Sequence, residues 1–299
     1  MKKLITAIGI SVGLIAGCGA TAVADGKPLD LDTPEGAMKA MRKVQCSMID
    51  NEPITYYWHG TAFSRRMGER DKVLFDVEGM NVRSCSTVTD EKRGEGYKLV
   101  TREILLYKDA KTGKVLKTWD NPWTGKEVEV MHVANDPVNS SGYVKGRDGK
   151  PTKFAGDLIG DKWQMNFTIP LFYSNPLAGE YQSEVGGTYH ATEMFNFLGD
   201  VENLTDPNTN TADVSIGWVR MSDWLPWMEM NGRDGIIYMH TAGRKIDSWN
   251  DMGQTLKDEI DKHYPEYVAP PPADDDRKNV TSWEYYKSVK EGHVKLPKR

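Results

Sequence analysis

The sequence predicts a mainly β protein, in which one large antiparallel meander closes into a barrel and carries an N-terminal and a C-terminal helix. After Pro53, apolar and polar residues alternate with a period of two through much of the chain, and aromatic and β-branched residues are dense there. Short turns such as 109–113 and 231–235 separate the alternating runs. Few helices intervene. Because such a meander must close or pair its edges, a two-sheet sandwich is the alternative to the barrel.

The first residues predict export. Met1 is followed by two lysines and by an apolar run at 4–16 that is too short to span a bilayer, which is typical of a secretory signal over residues 1–24. Residues 15–18 resemble a lipobox, in which Cys18 carries lipid and anchors the protein to a membrane. Residues 22–24 resemble a signal-peptidase site instead. The predicted location is the periplasm or, for a lipoprotein, the cell envelope.

A linker at 25–32 leads into the first predicted helix, because Thr33 suits an N-cap and Pro34 suits the first helical position. The barrel domain with its flanking helices is predicted to span 33–268, and a second helix is expected at 250–264. The strands are expected at about 54–63, 72–78, 80–88, 96–107, 114–119, 127–134, 152–155, 161–170, 187–198, 212–222 and 235–245.

The last stretch, 269–299, joins a Pro- and Asp-rich linker to a tail with aromatic residues around Trp283. The linker is expected to be stiff, and the tail is expected to dock on the main domain. Cys46 and Cys85 remain after either processing event. In an oxidising compartment they are predicted to form a disulfide, and two buried thiols are the alternative.

The composition argues against several partners. Charged residues make up 27% of the chain, and the formal net charge is −5 with basic residues dispersed among acids. Nucleic acid is not an expected partner, because phosphate neutralisation needs a basic patch. The sequence holds no glycine-rich phosphate loop or dinucleotide fingerprint, so no cofactor is predicted. No metal site is predicted either, because a cluster of His132, His190, Glu193 and His240 lacks zinc-motif spacing.

Five motifs occur in order along the chain: NPWTG at 121–125, HVANDPVN at 132–139, WLPWM at 224–228, HTAGRK at 240–245 and TSW at 281–283. Together they resemble the uncharacterised bacterial domain-of-unknown-function family 1838 over nearly all of the chain after the signal. By analogy of fold, the resemblance implies a lipocalin-like or calycin-like barrel. The family has no established activity, cofactor or catalytic residue, so the resemblance implies no site.

Two histidines are candidate catalytic groups. The strand expected at 127–134 places His132 on an apolar face with Val128, Val130 and Ala134, where it needs a polar partner. A second strand places His240 on a face that also carries Arg244. Asp136, just beyond His132, is a candidate orienting carboxylate, and Arg244 a candidate anion clamp. The alternative is that these histidines are satisfied core groups.

Glu193 is the candidate acid or base, because alternation places it on one face with Tyr189, Phe195 and Phe197. A structural salt bridge is the alternative. Glu103 poses the same question. The remaining candidates for ligand binding share an aromatic or polar side chain close to a predicted strand end: Trp123, Asn135, Asp136, Tyr189, Trp224 and Trp227. The loop with Trp224 and Trp227 forms either the mouth of an apolar pocket or a lid without a ligand.

The predicted function is therefore the binding of a small apolar or aromatic molecule in the interior of an exported barrel. One alternative is a lyase, isomerase or hydratase that uses interior His and Glu side chains as acid and base. Another is a structural envelope lipoprotein whose barrel is packed solid.

Overall fold

The computed structural model describes residues 26–181, 186–230 and 232–298. The predicted signal and Cys18 lie outside the described residues. The helices are α1 (Pro34–Gln45), α2 (Val201–Thr205), α3 (Gln254–His263) and α4 (Ser282–Lys290), with short 3-10 turns at Pro226–Met228, Trp249–Asp251 and Pro265–Val268. The strands are β1 (Ile54–Arg65), β2 (Lys72–Asp90), β3 (Gly94–Lys108), β4 (Thr118–Asp120), β5 (Glu127–Glu129), β6 (Val133–Asn135), β7 (Ser140–Tyr143), β8 (Asp157–Ile159), β9 (Lys162–Ser174), β10 (Thr188–Asp200), β11 (Ser215–Ser222) and β12 (Ile236–Ile246).

One large antiparallel sheet organises the molecule, which confirms the predicted mainly β class. Its strand order is β6-β3-β2-β1-β12-β11-β10-β9-β8, and β7 also pairs with β3. Strands β4 and β5 form a separate hairpin. Within the described ranges the outermost strands β6 and β8 do not pair with each other, so no closed barrel is formed there.

The sheet is curled. This follows from the observation that strands from its two halves contribute side chains to a single cavity. Strands β3 and β6 lie towards one end of the strand order and β9 and β10 towards the other, yet all four line that cavity. The right-handed twist of strands accumulates across a wide sheet and supports such curvature. Leu256 and Ile260 of α3 are buried in the same apolar cluster as Val82 of β2 and Ile104 of β3.

Strand β2 was predicted as two strands, 72–78 and 80–88, and this was wrong. The residue between them, Gly79, is paired with Trp58 of β1 inside one continuous strand. A Cβ atom at Gly79 would lie 2.8 Å from Nε1 of Trp58. The glycine therefore leaves room for an indole ring and does not mark a turn.

The strand predicted at 127–134 was also wrong in its continuity. It divides into β5, which pairs with β4, and β6, which pairs with β3. Between them Val130 donates its N–H to the carbonyl of Lys117 at 3.0 Å. The alternation survives in the sequence because both pieces bury one face, although the two pieces belong to different sheets.

Both ends of the described chain are fixed to the sheet. Helix α1 is capped by Thr33, whose Oγ1 accepts the N–H of Gly36 at 3.1 Å, and Cys46 at its end forms a disulfide with Cys85 of β2. The C-terminal tail docks, and Trp283 of α4 is 2% exposed. In the described part of the chain, no helix is long and apolar enough to cross a membrane.

Candidate functional site

A cavity of about 480 Å³ lies on the concave side of the curled sheet. Alternation along the strands selects its lining, since every second residue of β3 from Leu99 to Tyr107 faces it. The same rule brings in Tyr56 and Trp58 from β1 and Trp218 and Arg220 from β11. The segment 279–282, just before and at the start of α4, completes the wall.

A row of three polar residues crosses one half of the sheet. Strand pairing sets Asn81 of β2 opposite Glu103 of β3, and Glu103 opposite Asn135 of β6. Nδ2 of Asn135 donates to Oε1 of Glu103 at 2.6 Å. Oδ1 of Asn81 accepts from Nε of Arg83 at 2.6 Å and from Oγ1 of Thr101 at 2.7 Å. The row is thus held in place before any ligand binds.

The other half of the sheet contributes a cluster around the buried Arg220 of β11. Its register partner on β10 is Glu193, and Nε of Arg220 donates to Oε1 of Glu193 at 3.2 Å. The guanidinium also donates to the hydroxyls of Tyr189 and Ser222. Burial lowers the pKa of Arg220, but attraction to Tyr189 and Glu193 outweighs that effect and the net shift is upward. Arg220 is therefore a fixed cation of the cavity wall.

Glu103 is the carboxyl whose proton affinity the cavity changes most clearly. Burial raises its pKa, and repulsion by Glu193 adds to that rise. The hydrogen bond from Asn135 and attraction to Arg83 and Arg220 oppose it without cancelling it. Both Glu103 and Glu193 line the cavity, which is why the charge of Glu193 disfavours ionisation of Glu103.

Three buried polar atoms of the lining have no hydrogen-bond partner among the described residues. They are Nε1 of Trp58, Nε1 of Trp218 and Oδ1 of Asn135. The two indoles meet edge to face, with ring centroids 6.4 Å apart. A buried polar atom without a partner costs free energy, so the fold carries a local cost at these three positions of the lining.

Three of the predicted site residues do meet in this cavity. Glu193 and Tyr189 line it from β10, as the alternation of that strand indicated, and Asn135 lines it from β6. The residues that sequence reasoning missed are Arg220, Arg83 and Trp218. The alternation of Ile216, Trp218 and Arg220 along β11 was the available signal for two of them.

His132 does not belong to the cavity lining, so its predicted catalytic role is not supported. It is buried in the apolar core, and its Nδ1 accepts the backbone N–H of Tyr107 at 3.0 Å. Its Nε2 lies 3.0 Å from the carbonyl of Leu116. This pattern fits a neutral imidazole that donates from Nε2, and it corresponds to the core alternative.

We expect His132→Ala to lower the free energy of unfolding by about 2 kcal/mol, because it leaves a buried N–H and a part-buried carbonyl without partners. Chemical denaturation measures this loss. Binding in the cavity should be unchanged, since the imidazole does not reach it. A variant that kept its stability but lost a cavity function would restore the catalytic interpretation.

The predictions for His240 and Arg244 were wrong about the side of the sheet. The two residues share a face of β12, as expected, but both are exposed to solvent. The interior face of β12 carries Met239, Thr241 and Lys245 instead, all of them buried. The physical reason is that both faces of β12 mix apolar and polar residues, so alternation does not tell which face points inwards. Lys245 is accommodated inside by hydrogen bonds to the carbonyl of Lys43 and to Thr211.

The predicted binding residues Trp123, Trp224 and Trp227 lie outside the cavity lining. Trp227 is buried against Phe75 and Tyr107, with ring centroids 5.6 and 5.4 Å away. The rings of Trp123 and Trp224 pack at a tilt of 49°, with centroids 5.2 Å apart. These contacts correspond to a lid that closes one end of the sheet.

Asp136 was predicted to contact a ligand, but it forms ion pairs with Arg102 at 3.0 Å and with Arg277 at 2.7 Å. Arg277 belongs to the C-terminal segment, so Asp136 ties that segment to the sheet. Over residues 26–181, 186–230 and 232–298, no group of three His, Cys, Asp or Glu side chains is placed to hold a metal ion.

Glu103→Gln should make the protein more stable than the wild type at pH 8, and the difference should vanish near pH 4. Because the folded-state pKa of Glu103 is raised, the stability that its carboxyl contributes is fully present below its unfolded pKa of about 4.3. That stability is lost as the pH rises through the raised value. Thermal unfolding between pH 4 and 8 measures the effect, with Glu91→Gln as the exposed control. A difference that stays constant with pH would contradict the prediction.

The fold and the site together define a mainly β protein whose curled antiparallel sheet encloses a cavity with aromatic walls and two polar clusters. The chain belongs to the family described as protein of unknown function DUF1838, whose family model matches residues 51–290. This confirms the family resemblance predicted from the five motifs. A search of curated proteins gave no match.

Proposed function

We propose that this protein binds a small, largely apolar or aromatic molecule in the cavity. The volume of about 480 Å³ falls in the range of about 300–1,000 Å³ that is typical of small-molecule sites. The observation that carries the proposal is the lining, in which aromatic rings stand beside the polar side chains of Arg83, Glu103 and Arg220. Apolar walls with a few convergent polar groups are the usual composition of such a site.

The proposed architecture is a calycin-like barrel in open form, in which the C-terminal segment occupies part of the gap between the two ends of the sheet. Support comes from residues 279–282, which line the same cavity as β3 and β9. We also propose that the protein is exported to the periplasm or envelope, with Cys18 as the lipid anchor of the lipoprotein form. The Cys46–Cys85 disulfide supports an oxidising compartment.

The test is native mass spectrometry of the protein purified from its own cells. We expect a reproducible small-molecule adduct in the wild type and its loss in Leu171→Trp, which fills the cavity from β9. Leu198→Trp is the matched control, because Leu198 is exposed on the neighbouring strand β10. An adduct that persists in Leu171→Trp would place the molecule elsewhere. A bare polypeptide mass in all three proteins would count against a tightly bound ligand.

A second candidate function is an enzyme of lyase, isomerase or hydratase type, with Glu103 and Glu193 as acid and base. The raised pKa of Glu103 favours it, because burial shifts this carboxyl towards the protonated form that acts as an acid. Turnover of the identified ligand should then fall by about 10²–10⁴ in Glu103→Gln, while binding remains. A structural protein with a solid interior has less support, since the cavity is far larger than a water molecule.

A further inference from the structure

Arg83 is the charged residue of the cavity whose charge the chain compensates least. Its Nε donates to Oδ1 of Asn81, and its guanidinium lies 4.8 Å from the ring centroid of Tyr56. It forms no ion pair within the described residues. The four N–H groups on its two Nη atoms are therefore available to an acceptor in the cavity, and a guanidinium presents them as a planar fork.

The amino group of Lys245 lies near the same tyrosine ring. Nζ of the buried Lys245 lies 5.6 Å from the Tyr56 centroid. Burial is the main cause that lowers the pKa of Lys245, and repulsion by Arg83 lowers it further. Glu103 is the acidic side chain that attracts Arg83 most directly. Among the described residues, Arg83 is therefore the lining cation at this end of the cavity, and no ion pair neutralises it.

The aromatic wall begins directly beside this positive end. Phe197 meets the Tyr56 ring edge to face at 6.3 Å, and Phe195 follows at 6.1 Å from Phe197. Trp218 continues the wall at 6.5 Å from Phe195, and Trp58 lies next to it. A molecule that lies along this wall places one end at Arg83 and its body on aromatic rings.

The charges of the lining indicate the charge of the ligand. Among the described residues the lining carries two arginines and two glutamates, and Arg220 is paired with Glu193. Glu103 is hydrogen-bonded to Asn135, and within the same residues Arg83 has no ion pair, so Arg83 presents one unpaired positive charge to the cavity. A single positive charge matches a monoanion better than a dianion such as a phosphate monoester.

We propose that the cavity binds an amphipathic monoanion whose carboxylate is held by Arg83 and whose apolar body packs on Trp58, Phe197 and Trp218. This inference rests on the proposed function and specifies its ligand class. A carboxylate accepts two parallel N–H bonds from a guanidinium, and such charge-assisted pairs are among the strongest hydrogen bonds in proteins. Aromatic acids and fatty acids share this chemistry.

The test compares matched probes by isothermal titration calorimetry at pH 7. One series is 2-naphthoate, 2-naphthol and 2-naphthylmethylamine, and the other is octanoate, octanol, octylamine and octyl phosphate. We expect the carboxylate of at least one series to bind about 10- to 100-fold more tightly than its alcohol, and the amine to bind most weakly. A preference in the naphthyl series indicates an aromatic acid, and a preference in the octyl series indicates a fatty acid.

Arg83→Met should remove this preference and leave the affinity for the alcohol unchanged. Arg244→Met is the control, because Arg244 is exposed on the outer face of β12. If Arg83→Met does not fold, Arg83→Lys should reduce the ratio of carboxylate to alcohol affinity, since lysine lacks the planar fork.

Two results would overturn the proposed ligand class and leave the proposed binding function standing. One is an alcohol or amine that binds as tightly as its carboxylate, with binding blocked in Leu171→Trp. The other is octyl phosphate binding more tightly than octanoate. If no probe of either series binds, the proposed binding function is overturned together with its ligand class.

Discussion

Arg220→Met is expected to lower the free energy of unfolding by about 3 kcal/mol, measured by urea denaturation at pH 7. The guanidinium is buried and joins Glu193, Tyr189 and Ser222 across β10 and β11. Removal of the cation leaves the Glu193 carboxylate with less compensation in a poorly solvated wall. Methionine retains much of the packing volume, so the loss reports mainly the charge and its hydrogen bonds.

A second substitution separates the charge from the packing. Arg220→Met combined with Glu193→Gln should recover part of the lost stability, because the uncompensated carboxylate is removed as well. Arg233→Met, at an exposed position, is the control and should change stability little. Equal losses in Arg220→Met and Arg233→Met would show that the cluster has no special role. No recovery in the double variant would assign the loss to packing alone.

The alternation of β10 shows how far the sequence could predict the site. Tyr189, Glu193 and Phe197 were expected on one face, and all three line the cavity. A period of two is a local property of the strand, so it is readable without the fold. Which face points inwards is not determined by the local sequence. On β12 both faces alternate, and the choice of the face with Lys245 depends on acceptors contributed by Lys43 and Thr211, far away in the sequence.

His132 shows a different limit. The alternation from Val128 to Ala134 is real, but β5 and β6 pair with different partners. The change of partner depends on where β3 and β4 lie, and local alternation does not reveal that position. The closure of the sheet has the same character, because the pairing of its two ends depends on the total curvature.

The polar clusters could be predicted only one strand at a time. Asn81, Glu103 and Asn135 lie on three strands and are brought together by register. The pair of Glu193 and Arg220 likewise depends on the register of β10 with β11. Arg83 was missed for another reason. The predicted strands 72–78 and 80–88 are separated at Gly79, so the alternation was not extended along the whole of β2.

Trp283→Ala is expected to release the C-terminal segment from the sheet and open the cavity. The indole is 2% exposed and meets the ring of Tyr189 edge to face at 4.9 Å. Loss of a buried tryptophan costs about 3–5 kcal/mol. The N–H of Val280 also fixes the segment by donating to the carbonyl of Pro137 at 2.9 Å. Two further hydrogen bonds join Asn139 and Asn279, one from the backbone N–H of Asn139 and one from Nδ2 of Asn279. We therefore expect local opening to precede global unfolding.

Hydrogen exchange measures this opening. Protection of the α4 amides should fall by about 10²–10³-fold in Trp283→Ala, while amides of β1 and β2 change less. Lys287→Ala, on the same helix, should leave protection nearly unchanged. Because residues 279–282 form part of the cavity wall, a bound probe such as 2-naphthoate should also dissociate faster from Trp283→Ala. Faster exchange without faster dissociation would mean that the probe leaves by another route, and unchanged exchange would show that contacts other than the indole hold the segment.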